Sequence, residues 1–573
     1  MTVHNADIAA LFYRMAELLE IEGANPFRVR AYRRAAATME DLAKPAIDLL
    51  AMGADLADLP AIGDDLAGKI REICDTGRLK ALDEVEARTP SALAALAAVP
   101  GLGPKRIRML HERLGVSSIQ DLARAASEGR VRGLPRFGPA LEARLLKALR
   151  KSAAPEERRF SISTAEDFAG PLKWYVEGIP GVGDVVVAGS FRRRKETVGD
   201  LDILAISAQG QATTDRFVEY EGVAQVLAKG PTRATVILKD GLQIDLRVVP
   251  EESYGAALIY LTGSKSHNIA LRRLAQEKGL KISEYGVFRG DRRIAGRTEA
   301  EVYTAIGLPW TPPELRENRG EIDAGFAGRL PRLVALSDIR GDLHVHTRDS
   351  DGRSMLDEMV EAARLRGYDY VAVSDHSRHT TVAHGLDASR LSAQIDQIDR
   401  LNATRPGIRV LKSCEVDILP DGRLDLADAV LSRLDFVIGA IHSNFGLSME
   451  AQTDRLLRAM DNSCFHILAH PTGRLIGERP GYAVDLPKVM AGARARGCFL
   501  EINGHPSRLD LDDVHSRAAR DMGLKLAIGS DAHSSAGLAA MRHGVDQARR
   551  GWLERGDVLN ARSWPDLKTL LAR

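Results

Sequence analysis

Asp200 and Asp202 stand one residue apart near the end of GSFRRRKETVGDLDIL, the stretch from Gly189 to Leu204. In an extended strand, residues two apart face the same side, so both carboxylates project together. Carboxylates that close repel each other unless cations lie between them. Asp245, in LQIDLRVV, lies in a second strand pattern and completes a trio if the two strands are neighbours. Oxygen-only ligands on a rigid sheet suit Mg²⁺ or Mn²⁺, and two such ions support phosphoryl transfer. Gly189 and Ser190 precede a helical turn whose backbone N–H groups can hold phosphate, and the basic run Arg192–Lys195 adds charge. The stretch therefore reads as a nucleotidyl-transfer centre with Asp200, Asp202 and Asp245 holding two ions. A solvated strand edge with an incidental Asp-x-Asp would explain the pair alone, but not the Gly-Ser, the fixed gap and the third strand aspartate together.

A second constellation lies downstream. Of 15 histidines, twelve follow residue 340. GDLHVHT sets His344 and His346 on one strand face, with Asp351 five residues on. His376 ends AVSDH, Glu415 ends KSCE, His442 ends GAIH, His470 ends ILAH, and Asp531 and His533 close GSDAH. One buried histidine is usually a satisfied core residue, but nine ligand-type residues at strand ends form a metal centre. Mixed imidazole and carboxylate ligands suit Zn²⁺, Mn²⁺ or Fe²⁺, and the carboxylate share leans toward Mn²⁺. The expected chemistry is metal-assisted hydrolysis of a phosphoester. His379, His384 and His505 are left outside the ligand set.

These residues need elements to position them. A chain of 573 residues holds several domains, at ~100–200 residues each. Residues 1 to about 150 show apolar spacing of three and four, as in ADIAALFYRMAELLEI, which predicts helices. From about 155, DVVVAGS, LDILAIS, ATVILKD and LQIDLRVVP predict strands. WTPPELRENRG and GFAGRLPRLVALSD predict a domain edge and linker. From 339, short apolar strands alternate with helical text, which implies a parallel sheet closed into a barrel. In such barrels the site is built at the C-terminal ends of the strands.

Net charge is +1, yet residues 101–150 carry eleven Lys and Arg against four Asp and Glu, whereas residues 1–100 carry eleven against sixteen. A local basic patch of this kind suits nucleic acid. LPAIGDDLAGKI (59–70), VPGLGPKRIRML (99–110) and LPRFGPALEARLL (134–146) share a hydrophobic-Pro-x-hydrophobic-Gly pattern and resemble the helix-hairpin-helix motif. Its glycine turn exposes N–H groups to a DNA phosphate without reading sequence. The middle copy carries the full Gly-x-Gly, at Gly101 and Gly103, followed by Lys105. Four cysteines without a C-x-x-C pair read as a reduced, cytoplasmic protein. Acidic residues in the first apolar stretch argue against a signal peptide, and no apolar run approaches the ~18 residues of a membrane span.

GSFRR…GDLDIL with its flanking blocks resembles the family X DNA polymerases over residues 1 to about 325, and the histidine set resembles the PHP (polymerase and histidinol phosphatase) domain. The resemblance implies a multidomain chain: all-α helix-hairpin-helix domains, an α/β nucleotidyltransferase palm and a distorted (β/α)7 TIM-like barrel. It divides the chain into a lyase-like helical domain (1–88), a hairpin-bearing DNA-binding domain (89–152), a palm (153–255), a nucleotide-selecting domain (256–325), a linker (326–338) and the PHP domain (339–573). It implies that Asp200 and Asp202 bind both palm ions and Asp245 the one facing the primer 3′-hydroxyl, with Gly189, Ser190 and Arg193 at the triphosphate. YLTGSKSHN (260–268) then forms the deoxynucleotide pocket, with Tyr260 crowding a ribose 2′-hydroxyl, Gly263 at the turn, Asn268 at the minor-groove edge and Arg272 on the template side. Leu261 stands where the family often has Phe, leaving less aromatic surface under the sugar, and Gln243 stands near Asp245 in place of an arginine. Lys69 aligns with the family's Schiff-base lyase lysine, but Asp65 one turn earlier replaces a lysine and favours a plain surface ion pair.

For the barrel, the resemblance implies three Mn²⁺ or Zn²⁺ ions. One takes His344, His346, Glu415 and Asp531; a second shares Glu415 with His442 and His470; a third takes Asp351, His376 and His533. The whole reads as a monomeric repair polymerase of the cytoplasm and nucleoid, working on gapped or primer-template DNA with dNTPs. Its barrel acts as a 3′→5′ exonuclease, with cutting at abasic sites a further activity to test. Two other readings stay open on the residues alone. One is a phosphatase and nucleotidyltransferase acting on a small molecule or protein; the other is a DNA-binding scaffold with inactive centres.

Overall fold

The computed structural model describes residues 5–42, 46–88, 93, 96, 99, 102–135, 137–138, 141–142, 144–146, 159–404 and 406–572. The chain forms two compact units, Met1–Glu157 and Arg158–Arg573. Among the described residues no helix is long and apolar enough to cross a membrane.

The first unit is helical. Asn5–Glu22 and Pro26–Asp41 pack with Asp64–Thr76 through Phe12, Met15, Leu19, Tyr32 and Ile70, all buried. A second cluster gathers Leu102, Ile107, Leu110 and Leu122 beneath the helix Pro104–Leu114. That helix starts with Pro104 at its first turn and stops at Gly115, whose φ of 66° a glycine adopts without strain.

In the second unit, five strands form the palm sheet: β1 (Val182–Val187), β2 (Asp200–Ser207), β3 (Val223–Lys229), β4 (Arg233–Leu238) and β5 (Gln243–Val249). Their order is β1-β2-β5-β4-β3, with β2 and β5 parallel. Alternation fixes the faces: Leu201, Ile203, Ile244 and Leu246 are buried in the core, and Asp200, Asp202 and Asp245 point the other way. The following helices Tyr254–Thr262 and Lys265–Glu277 break at Gly263, and with Glu299–Ala305 they build a separate small core around Leu271, Val302 and Tyr303.

Among the described residues eight parallel strand segments, seven strands with one of them broken, make the barrel. They are β6 (Gly341–Val345), β7 (Tyr370–Val373), a broken strand running as β8 (Arg409–Lys412) and β9 (Glu415–Asp417), then β10 (Ile438–Ala440), β11 (Ile467–Leu468), β12 (Phe499–Asn503) and β13 (Leu526–Gly529). Neighbours pair in chain order, β6 to β8 in one sheet and β9 to β13 in the next. Closure comes from a parallel bridge between Val345 and Ala532. Within residues 326–338, expected as a linker, Val334 is fully buried in the barrel core and donates its N–H to the Leu553 carbonyl at 2.9 Å. The segment's Pro and Gly content reflects a tight path over the barrel surface. Leu509, from the loop after β12, is fully buried in the palm core, so barrel and palm share apolar packing.

Candidate active sites

The register of β2 against β5 sets Asp202 beside Asp245 and Asp200 beside Gln243. Asp245 accepts hydrogen bonds from Thr235 Oγ1 at 2.6 Å, Gln243 Nε2 at 2.7 Å and Arg233 Nη2 at 3.0 Å, so its carboxylate is fixed in orientation. Gly189 has φ of 62°, and a Cβ there would lie 2.3 Å from Asp202 Oδ2. Glycine thus lets the Asp202 carboxylate rest against the short helix Gly189–Arg192. Burial, then the Asp200 and Asp245 carboxylates, push Asp202 up to about 7. Burial opposes, but hydrogen bonds from Thr235, Gln243 and Arg233 hold Asp245 below the ordinary aspartate value. A carboxylate trio under this mutual repulsion is a ready site for divalent cations.

The basic run has partners of its own. Arg192 donates Nη1 and Nη2 to Glu299 at 2.7 and 2.9 Å, and Nη1 to Thr262 Oγ1 at 2.9 Å. Arg193 Nε donates to Glu317 Oε1 at 3.0 Å, and Nη1 to the Thr262 carbonyl. Arg194 reaches Asp546 at 2.7 Å and Glu166 at 2.6 Å. Carboxylates brought in by the fold thus pair with all three arginines of the run. Ser190 is half-buried in the first turn beside Gly189.

In the helices that follow the palm sheet, Tyr260 is 39% exposed and the Arg272 guanidinium lies 5.6 Å from its ring centre. Asn268 Nδ2 donates to the Tyr260 carbonyl at 2.8 Å, while its buried Oδ1 has no partner among the described residues. Gly263, φ 68°, ends the helix Tyr254–Thr262 with its Cα facing Arg193. In the first unit, Gly103 and Lys105 line a groove of about 880 Å³ with Arg30, Arg33, Arg106 and Arg108, against one acidic residue, Glu20. Gly101 lies outside the described residues. Lys69 ion-pairs with Asp65 across one helical turn.

At the barrel mouth the nine sequence candidates converge. His346 Nε2 lies 3.1 Å from Asp531 Oδ1, His376 Nδ1 2.9 Å from Glu415 Oε2, His470 Nε2 2.8 Å from Glu415 Oε1 and His442 Nε2 3.3 Å from it, and His533 Nε2 3.3 Å from Asp351 Oδ1. Three clusters emerge: His344, His346 and Asp531; His376, Glu415 and His442; and His346, Asp351, His376 and His533. His346 and His376 are shared, so the centre is one continuous nest, less cleanly divided than the expected three ligand sets. The donor atoms fit metal: His344 Nε2, both His346 nitrogens, Glu415 Oε2, His442 Nε2 and His470 Nδ1 are buried without a hydrogen bond among the described residues. Burial opposes charge here, yet the surrounding imidazoles hold Glu415 and Asp531 well below ordinary carboxylates. Cations can take the place of the protons this requires.

The sequence reading missed the supporting shell. Glu501 receives His344 Nδ1 at 2.7 Å and the His470 backbone N–H at 2.8 Å. Asp417 lies 3.3 Å from His442 Nδ1. Arg508 Nε lies 3.4 Å from Asp531 Oδ2, on the wall of the metal nest. Glu501 carried a signal, since CFLEING puts a carboxylate on a strand of the same series, as the other ligand strands do. Arg508 sits in a loop and carried none.

A DNA polymerase/3′-5′ exonuclease PolX of Bacillus subtilis (strain 168) is 39% identical over 578 residues, covering all of both chains. The chain belongs to the PolX family. Family models match four stretches of it: a helix-hairpin-helix domain over 3–79, a SAM-like helix-hairpin-helix tandem over 93–151, a DNA polymerase beta thumb over 257–317 and a PHP domain over 342–505. Two further relatives match parts of the chain. DNA polymerase lambda of Rattus norvegicus is 26% identical over 348 residues, 55% of this chain and 57% of its own length. A probable phosphatase of Thermoanaerobacter sp. (strain X514) is 28% identical over 231 residues, 38% of this chain and 89% of its own. Asp531 and His533 lie beyond the matched PHP stretch, and β13 is what returns them to it.

Proposed function

We propose that the chain fills short gaps in DNA by templated addition of deoxynucleotides in the palm and removes 3′-terminal nucleotides in the barrel. The observation that carries this reading is the pairing of Asp202 with Asp245 across parallel strands, with the Gly189 turn against them. Asp200 and Asp202 would hold two Mg²⁺ or Mn²⁺ ions and Asp245 one of them; His344, His346, Asp351, His376, Glu415, His442, His470, Asp531 and His533 would hold three Mn²⁺ or Zn²⁺ ions. When bound, such ions activate an attacking oxygen and offset charge on the leaving one.

The chain's own residues do the rest. Thr235, Gln243 and Arg233 fix the Asp245 carboxylate in one orientation. Ser190 and the backbone of its turn hold the triphosphate, which draws Arg193 from Glu317 to complete the cradle. Tyr260, with Arg272 on its ring and Asn268 on its carbonyl, forms the wall beside the sugar, and Gly263 lets Arg193 approach. Gly103 and Lys105, on the wall of the basic groove, grip DNA phosphates, and Gly101 of the same sequence motif is assigned to that role from its sequence position alone. In the barrel, Glu501 holds the His344 ring so that Nε2 faces the nest. Lys69, paired with Asp65, is a weak candidate for lyase chemistry. We assign the protein to the cytoplasm and nucleoid as a monomer acting on gapped or primer-template DNA with dNTPs. A small-molecule phosphatase reading has no use for the basic groove.

Labelled one-nucleotide-gap DNA, with and without dNTPs, in Mg²⁺ and then Mn²⁺, tests the reading. Asp200→Ala should abolish extension and leave 3′ trimming, and His344→Ala should do the reverse. Extension that survives Asp200→Ala, or joint loss in both folded variants, refutes it.

A further inference from the structure

Beside the metal nest lies a second cavity of about 380 Å³, within the range of small-ligand sites. His533 walls both, so the two spaces adjoin. The second cavity is lined by Arg353, Arg542, His505, His533 and His543, with no carboxylate in its wall. Arg353 follows the candidate ligand Asp351 by two residues, and its backbone N–H donates to the His533 carbonyl at 2.7 Å, which ties its position to the nest. The Arg353 side chain is exposed and has no ion pair among the described residues. Arg542 pairs with Glu166 of the palm and remains half-exposed. His543 is 4% exposed, and its Nδ1 has no partner among the described residues. Burial brings His543 down to about 4, so near neutral pH it is an uncharged imidazole able to give one N–H.

A cationic wall, a buried imidazole whose Nδ1 has no partner while its Nε2 lies 3.7 Å from Glu166, and a shared boundary with a phosphoester-cleaving centre describe a site for a phosphodiester flanked by sugars. We propose that the cavity bounded by Arg353, His505, Arg542 and His543 holds the nucleotide adjoining the scissile bond of a single DNA strand whose 3′ end lies in the metal nest. Arg353 and Arg542 grip its phosphate, His505 offers a ring against its base, and His543 meets a phosphate or sugar oxygen. The inference rests on the nuclease reading of the barrel and adds where the strand runs.

The test compares two substrates on full-length protein loaded with Mn²⁺. Bis(p-nitrophenyl) phosphate occupies the nest alone, whereas a thymidine trinucleotide also reaches the cavity. Arg353→Ala should lower the ratio of kcat/KM for the trinucleotide over the chromogenic diester by about tenfold, the size of one lost charge-assisted contact. The fall should appear in KM, and Arg353→Lys should restore part of it. Arg494→Ala, an exposed barrel arginine on the helix Leu486–Arg496, is the control and should leave the ratio unchanged. An unchanged ratio in Arg353→Ala, or an equal fall in the control, overturns the site while the nuclease reading stands. Wild-type protein that cleaves neither substrate overturns the nuclease reading itself, and the site with it.

Discussion

Glu299→Gln removes one charge from a buried cluster joining palm and nucleotide-selecting segment, and its cost can be worked from the structure. The Glu299 carboxylate, 8% exposed, accepts from Arg192 at 2.7 and 2.9 Å, Arg316 at 2.7 Å and Trp310 Nε1 at 2.9 Å. Burial opposes its charge, but Arg192 and Arg316 outweigh burial and hold the carboxyl at about 2 against an ordinary 4.5. At about 1.4 kcal/mol per tenfold, that difference stabilises the charged folded form by about 3 kcal/mol. Removing one partner of a buried pair typically costs ~3–5 kcal/mol, which agrees, because Arg316 is fully buried and would be left with excess charge. The assay is urea unfolding followed by tryptophan fluorescence. All four tryptophans, Trp174, Trp310, Trp552 and Trp564, lie in the second unit, so the first contributes no signal. A folded pKa below the unfolded one contributes stability that is complete above the unfolded value and is lost as pH falls through the folded value. The gap between wild type and variant should thus be about 3 kcal/mol at pH 7 and close as pH falls from about 4.5 toward 2. A gap under about 1 kcal/mol at pH 7, or one equally wide at about pH 3, refutes the electrostatic account.

Three further outcomes follow from single contacts. Gly189→Ala would put a Cβ 2.3 Å from Asp202 Oδ2 at a φ of 62°, so primer extension should fall about 100-fold through displacement of that carboxylate, with trimming unaffected. Glu501→Ala should weaken Mn²⁺ binding to the barrel about 10–100-fold by equilibrium dialysis, since His344 and the His470 N–H both lose their acceptor; unchanged affinity would show that Glu501 does not orient the ligands. Leu509→Ala should destabilise the second unit by ~2–5 kcal/mol in the same urea assay, because this barrel-loop leucine is fully buried in the palm core; a loss below about 1 kcal/mol would mean the palm core does not depend on it.

Features set by local periodicity were legible in the chain. The two-residue spacing of Asp200 and Asp202 against buried Leu201 and Ile203 is strand alternation, and β2 carries it out. Asp245 required a guess about which strands adjoin, and the β2–β5 register joins them. The barrel ligands were legible because short apolar strands each ended in a chelating residue, a pattern that survives ignorance of the connecting helices. What could not be read were groups whose role depends on where a distant segment lands. Arg508, in the loop after β12, lies 3.4 Å from Asp531 beyond β13, and Glu501 supports His344 across 157 residues of chain. The grouping of these candidate ligands was also beyond the sequence, since the sharing of His346 and His376 between clusters is a matter of distances.

The basic run shows why counting charge along a chain misleads at such places. Arg192, Arg193 and Arg194 follow one another around a tight turn, where Arg194 takes a φ of 56°. Successive side chains on a turn diverge by about 100°, so three like charges leave in different directions. Each meets its own carboxylate: Glu299, 107 residues away, Glu317, 124 away, and Asp546, 352 away. Like charges packed this closely repel, and burial would make the run untenable without those partners. The sequence announces the cations and scatters their counter-charges over the rest of the unit. The turn that presents Gly189 and Ser190 is consequently pinned from the nucleotide-selecting segment on one side and from the barrel on the other. Glu317, which receives Arg193 Nε at 3.0 Å, also receives Arg550 Nη1 of the barrel at 3.1 Å, so a single carboxylate joins this turn to the barrel.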